Sequence, residues 1–259
     1  MTAKNIFDLT GRTALITGGS RGLGLQIAEA LGDYGAKVML VSRKQADLDE
    51  SVAHLKKRAI DATALAADLI RTETAQGVAR EAIQRLGHVD VLVNNAGATW
   101  GAPAEDYPLE AWDKVMNLNI RSIFVLSQAI GKHSMIPRNY GRILNIASIA
   151  GLKGNAPGTM RTVAYNTSKG AVVNFTRVLA SEWGCYNITV NAIAPGMFPS
   201  KMTKGTLEAV GVENIARRAP LQRIGDDEDL KGVALLFASD AGKHITGQVV
   251  AVDGGVSIV

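Results

Sequence analysis

Cysteine is nearly absent: Cys185 is the one such residue in 259. No internal disulfide can form, and a reducing compartment, most simply the cytoplasm, is the expectation. A lone cysteine of this kind ordinarily fills a small apolar space, so burial is expected for it. Histidine is scarce as well. His54, His88, His133 and His244 stand far apart without metal-ligand spacing, and no structural or catalytic zinc is predicted. The opening MTAKNIFDLTGRTALIT lacks a basic segment followed by a long apolar run and a small-residue cleavage site, so no secretory signal is expected. No apolar stretch is long enough to span a bilayer, which argues against a membrane partner. Lysines and arginines are dispersed around a net charge of +4 instead of gathered in one arm or stripe, which disfavours nucleic acid as a partner. Repeats and low-complexity tracts are missing too, and 47% hydrophobic with 20% charged residues is the composition of a folded chain with a large core.

What is present alternates. Short apolar, β-branched runs predict strands near Thr13–Thr17, Lys37–Val41, Ala62–Ala66, Val89–Val93, Arg142–Ala147, Thr189–Ala194 and Gln248–Val252. Segments of helical periodicity lie between them: Gly22–Tyr34, Gln45–Arg58, Thr72–Leu86, a long one within Leu109–Met135, and Thr162–Trp183. Such alternation predicts an α/β doubly wound parallel sheet with helices on both faces. No domain boundary is visible, so residues 1–259 read as one domain. Ligands of these sheets bind outside the carboxyl ends of the strands. The unusual residues all fall there: TGGSRGLG after the first strand, SRK after the second, Asp68 after the third, NNAG after the fourth, Ser148 after the fifth and PGMFPS after the sixth.

In TGGSRGLG, Gly18, Gly22 and Gly24 let the turn tighten and let backbone N–H groups approach a pyrophosphate at the positive end of a helix. The spacing is G-x-x-x-G-x-G, and its place after strand one supports a dinucleotide. Ser20, Arg21 and Leu23 complete the loop's candidate set. The second strand ends in Ser42, Arg43 and Lys44, with no acid before Asp47. An acid there suits the ribose hydroxyls of NAD, whereas positive charge suits the 2′-phosphate of NADP. Arg21 adds a second guanidinium with the bidentate geometry phosphates favour. Each basic residue alone could be a solvated surface charge; together they favour NADP(H). Asp68, followed by Leu69, could accept from an adenine amino group or cap its own turn. Asn94 and Asn95 would tie strand ends together, and Ala96 and Gly97 permit close approach to a ribose.

The stretch VAYNTSKGA sets Tyr165 and Lys169 at helical spacing, on one face. Such a pair is often a surface contact. It can also be a proton-transfer device, in which the ammonium lowers the phenol below its ordinary value near 10.

TGGSRGLG, NNAG, Asn119, Ser148, YNTSK and PG, in this order, resemble the short-chain dehydrogenase/reductase family, and the likeness runs from about the tenth residue to TGQVVAVDGG. The resemblance implies a seven-stranded Rossmann fold, hydride transfer with a nicotinamide, a carbonyl or alcohol substrate, and a homotetramer with a C-terminal interface. It assigns Tyr165 as catalytic acid/base and Lys169 as the residue that holds the nicotinamide ribose and favours the phenolate. A unit charge about 4 Å away at an effective dielectric near 20 is worth roughly 4 kcal/mol, or about 3 pKa units. Ser148 would orient the substrate oxygen, and Asn119 would position a water that links Lys169 to solvent. Pro195, Gly196, Phe198 and Ser200 join the cofactor-binding set.

Ser148 and Tyr165 are separated by a connection longer than the family's usual one, with the extra residues around 158–161 beside the substrate pocket. Ala98, Trp100, Met160, Met197 and Phe198 are its further expected walls. NNAGATWGAP, EAWDKVMNLN and IAPGMFPSKMT resemble reductases of 3-oxoacyl substrates, and that substrate class is the leading expectation. Carrier-protein reductases tend to have arginines where this chain has Val125 and Ser181, although Arg121 and Arg177 lie about one turn away. Sugar-acid, polyol or cyclic alcohol dehydrogenases are the alternative within the family, and a non-catalytic NADP-binding regulator is the alternative outside it. The acidic DDEDL, Asp226–Leu230, is expected to begin a helix and takes no catalytic role.

Overall fold

Strand residues alternate between two apolar faces. Ala14, Ile16, Val38, Leu40, Val91, Val93, Leu144 and Ile146 enter one buried cluster, and their neighbours Leu15, Met39, Val41, Leu92 and Ile143 enter another. A period of two that is apolar on both phases demands cover on both sides, as parallel sheets require. The computed structural model, which describes residues 5–156 and 159–259, supplies that cover.

The strands are β1 (Thr13–Thr17), β2 (Lys37–Ser42), β3 (Ala62–Ala66), β4 (Val91–Asn94), β5 (Gly141–Ile146), β6 (Ile188–Pro195) and β7 (Val249–Val252). They form one seven-stranded sheet in the order β3-β2-β1-β4-β5-β6-β7, parallel throughout. The helices are α1 (Gly22–Asp33), α2 (Gln45–Lys57), α3 (Thr72–Leu86), α4 (Leu109–Met116), α5 (Ser122–Ile130), α6 (Ile136–Arg138), α7 (Val163–Trp183), α8 (Lys204–Val210), α9 (Val212–Ala216) and α10 (Lys231–Ala238). Residues of α1, α2 and α10 close the first cluster, and residues of α3, α5 and α7 close the second. This is the doubly wound Rossmann-type arrangement that the alternation predicts. The order reverses between β1 and β4, which opens a crevice at their carboxyl ends.

Three expectations need correction. The helical stretch expected within Leu109–Met135 runs on through α6 and is interrupted twice by π turns, at Asn117–Arg121 and Gly131–Met135. DDEDL lies ahead of α10 instead of inside it. Asp229 is drawn into a bidentate pair with Arg223, at 2.5 and 2.6 Å, and accepts from the Asp226 amide. Cys185 is exposed, because it sits in the surface turn that follows α7. Of the extra connection expected around 158–161, Gly158 lies outside the described residues. Among the described residues no helix is long and apolar enough to cross a membrane, and no group of three or more His, Cys, Asp or Glu side chains could hold a metal ion.

Candidate active site

The carboxyl ends of β1 and β4 are laced together by side chains. The Thr17 hydroxyl accepts from the amides of Asn95 (2.9 Å) and Ala96 (3.0 Å), while the Asn95 amide group donates to the carbonyls of Thr17 (2.9 Å) and Gly18 (3.0 Å). Asn94 reaches across to β5 and donates to Asn145 Oδ1 at 2.9 Å. Both asparagines therefore hold strand ends, as expected, and the crevice has fixed walls.

The glycine loop fits close packing and an anion. A Cβ on Gly24 would lie 2.4 Å from the Gly18 carbonyl oxygen, so only glycine lets α1 start this close to the loop. Gly22 has φ +51° and faces open space. Arg21, the residue before α1, is extended and makes no side-chain cap. The first N–H groups of α1 thus lack a side-chain acceptor, the condition under which a helix end takes a phosphate oxygen. These features fit a dinucleotide pyrophosphate.

A cleft of about 250 Å³ opens from this loop. Of the expected cofactor set, Gly18, Ser20, Arg21, Ser42, Arg43, Asp68, Leu69, Ala96 and Gly97 line it, as do Ala98 and Trp100 from the expected substrate walls. Ser20 donates to the Ser42 hydroxyl at 2.9 Å, joining the loop to the end of β2. Arg21 pairs with Asp47 at 2.5 Å, whereas Arg43 and Lys44 are exposed without an ion-pair partner among the described residues. Asp68 accepts from the Ile70 amide at 3.2 Å, the turn-capping alternative, while it also lines the cleft. Ala111, Lys114, Val115 and Leu118 complete the far wall. The sequence reading missed them, although their spacing of three, one and three marks one helical face.

Ser148, Tyr165 and Lys169 meet at the carboxyl end of β5. Ser148 follows the strand and accepts from the Ala150 amide at 3.1 Å. Tyr165 stands in the first turn of α7 and hydrogen-bonds to Ser148. Lys169, one turn on, is buried, with its ammonium donating to the Ile146 carbonyl at 2.6 Å and lying 5.6 Å from the Tyr165 ring centre. Asn119 sits in the first π turn, a distortion often found at functional sites. It exchanges two hydrogen bonds with the backbone of Ala98, at 2.8 and 2.9 Å, and donates to Ser168 at 3.0 Å.

The electrostatics differ from the sequence expectation. Burial pushes the Tyr165 phenol up, only partly offset by the Ser148 hydrogen bond, and the lysine does not bring it down. Burial also lowers Lys169 itself to about 8. With the ammonium engaged by the Ile146 carbonyl, desolvation outweighs attraction for both groups.

Other expected residues are placed elsewhere. Leu23 packs against the first core cluster. Phe198 is buried in that cluster, its ring where a side chain on Gly225 would stand, so it packs rather than lining a pocket. Pro195 ends β6, and Gly196 donates to the Val252 carbonyl at 2.9 Å. Met197 takes the Gly225 amide through its own carbonyl, and Ser200 bonds Thr203 within its turn at 2.9 Å. A second hollow of about 400 Å³ lies between residues 102–105 and the start of α7. Asn155, Met160, Arg161, Thr162 and Asn166 line it. Val125 is buried in the second core cluster, so a docking cation has no place there, while Arg121, Arg177 and Ser181 are exposed.

Comparison with known proteins follows the same lines. The family model for short chain dehydrogenases matches residues 12–210. The gluconate 5-dehydrogenase of Gluconobacter oxydans is 36% identical over 261 residues, covering 100% of this chain and 99% of its own. The 3-oxoacyl-acyl-carrier-protein reductase of rhamnolipid biosynthesis from Pseudomonas aeruginosa is 38% identical over 253 residues, covering 96% and 97%. Among solved structures, a gluconate 5-dehydrogenase from Burkholderia cenocepacia, in complex with NADP and tartrate, superposes with a TM-score of 0.92 at 31% identity and full coverage of both chains.

Proposed function

This chain belongs to the short-chain dehydrogenase family, and from that premise we propose that it moves hydride between NADP(H) and a secondary alcohol of a small hydroxylated acid. The family acts on CH–OH groups, so the reading as a non-catalytic regulator gives way. The 3-oxoacyl expectation gives way to the sugar-acid alternative, which two of the three relatives above support by name. The observation that carries the substrate reading is the polar hollow at the start of α7, the helix that carries Tyr165. The Asn155 side chain donates to the Met160 carbonyl (2.6 Å) and to Thr162 (3.1 Å), and Thr162 donates to Asn166 (2.9 Å). With Arg161 also lining the hollow, these groups suit hydroxyls and a carboxylate better than an alkyl chain. Exposed Trp100 and Met160 and the Pseudomonas relative favour a 3-oxoacyl thioester as the second reading.

Nicotinamide, when bound, supplies the hydride or accepts it. In reduction, Ser148 donates a hydrogen bond to the substrate carbonyl oxygen, and the Tyr165 hydroxyl gives that oxygen its proton; oxidation reverses the transfer. The phenol, raised by burial, is protonated near neutrality and so can donate in the reductive direction. Lys169, turned from the Ile146 carbonyl, would hold the ribose hydroxyls and keep its positive charge near the phenol. Asn119 fixes the loop at Ala98 against α7 and holds the water that returns protons to Lys169. Ser20, Arg21, Ser42 and Arg43, which line the cleft, and the neighbouring Lys44 would hold the 2′-phosphate. Exposed Leu221, Ile258 and Val259 near the C-terminus fit a subunit contact there, of the kind a homotetramer would use.

The test is turnover of gluconate-type acids and of a 3-oxoacyl thioester with each cofactor. NADP-linked turnover of a sugar acid is the expected result. Turnover of the thioester alone would replace this reading with the second.

A further inference from the structure

The 2′-phosphate site contains a group that opposes the phosphate. Arg21 is one of its guanidinium groups, and here it is already taken: Nη2 donates to Asp47 Oδ2 at 2.5 Å. The pair is partly exposed, at 51% for the arginine side chain and 29% for the aspartate. Both partners are held from behind. Asp47 is in the first turn of α2. The buried hydroxyl of Ser51, one turn on, bonds the Asp47 carbonyl at 2.9 Å and the Ser20 carbonyl at 2.7 Å. Ser20 is in turn joined to Ser42 at the end of β2. The glycine loop, β2 and α2 thus form one unit, and the Arg21–Asp47 pair closes it on the solvent side. Arg43, which lines the same cleft, is left without a partner among the described residues.

We propose that Asp47 is a specificity-determining positioning residue, a carboxylate that competes with the cofactor 2′-phosphate for Arg21 and so limits the preference for NADPH over NADH. The inference rests on the reading of Arg21 as a phosphate ligand. Binding NADPH requires the guanidinium to exchange one anion for another, and the displaced carboxylate remains nearby as a like charge. NADH shares the pyrophosphate but brings no 2′-phosphate to Arg21, and so leaves the pair intact. Asp47 therefore lowers affinity for one cofactor and spares the other. It does so from within α2, not from the end of β2, where an NAD-selecting acid is ordinarily sought.

The test is calorimetric titration of the full chain with NADPH and with NADH, without substrate. Asp47→Asn keeps the shape and removes the charge. NADPH should bind about two- to fivefold more tightly, the range expected for releasing a partly exposed ion pair, and NADH should be unchanged. A purely structural role would shift both cofactors together, and unchanged NADPH affinity would equally overturn the proposal. Arg21→Ala separates the two layers of inference. If it leaves NADPH affinity unchanged, the phosphate reading of Arg21 fails, and this proposal with it. If it weakens NADPH, the Asp47→Asn gain should shrink in the Arg21→Ala background. A gain of the same size there would show that Asp47 does not act through Arg21.

Discussion

The two sides of the switch point are built differently. On the side of β1, β2 and β3, the cleft is made of a turn, two strand ends and a helix start that follow one another closely in the chain. Its shape rests mainly on backbone, the Gly18 carbonyl against Gly24 and the open start of α1, with the Thr17 hydroxyl tying it across to the amides of Asn95 and Ala96. On the side of β4, β5 and β6, the site gathers side chains from distant segments. Asn119 reaches Ala98 and Ser168, and Lys169 reaches back to Ile146. The first side is a mould set by local geometry. The second is a charge arrangement set by burial, and its groups are shifted from their ordinary pKa values in consequence.

Separating the two sides is the strongest experiment. Tyr165→Phe should lower turnover by about 10²- to 10⁴-fold while the NADPH dissociation constant from calorimetry stays put; loss of both would mean the sides are one unit. Arg43→Ala should weaken NADPH about ten- to hundredfold, the loss expected for a charge-assisted hydrogen bond, with little change for NADH. Equal losses would contradict phosphate recognition there.

Gly24→Ala tests the mould. A methyl 2.4 Å from the Gly18 carbonyl oxygen forces the loop and α1 apart, at a cost of about 1–3 kcal/mol in unfolding free energy. In contrast to the arginine variant, it should weaken both cofactors alike.

The smallest effect is a slope. Because Lys169 titrates at about 8 in the fold against an ordinary 10.5, the unfolded chain binds more protons between these values. Its contribution to stability therefore rises with pH in that window, by at most about 1.4 kcal/mol per pH unit. Tyr165 is raised above its ordinary value, so as pH approaches 10 the unfolded phenol loses its proton first and opposes this trend; that contribution is shared by the parent and a Lys169 variant and drops out of their difference. In denaturant melts of the cofactor-free protein, the parent should gain stability relative to Lys169→Met from pH 8 to 10. A constant gap would mean that burial does not depress the lysine.

Much of this architecture was legible in the chain. β1, β3 and α3 fall at their expected bounds, and the other main strands and helices lie within a residue or two, because alternation between strand and helix periods is strong. Asn94 and Asn95 were readable as ties between strands, since paired amides at a strand end have few other uses. The face Ala111, Lys114, Val115 and Leu118 was readable too, but its pattern also fits ordinary core packing. Phe198 and Cys185 went the other way from expectation: an aromatic in a glycine-flanked loop turned inward, and a small thiol stayed outside.

What the sequence by itself determined is the order of elements, the strand edge on which the chemistry-bearing residues gather, and the sign of charge at the end of β2. These follow from periodicity and from local turn geometry, which act over a few residues. Tertiary structure alone decided the partners and the proton affinities. Arg21 meets Asp47, Lys169 meets the Ile146 carbonyl, and Tyr165 is raised instead of lowered. Desolvation and ion pairing depend on what the fold brings alongside a group, and no spacing in the chain specifies that.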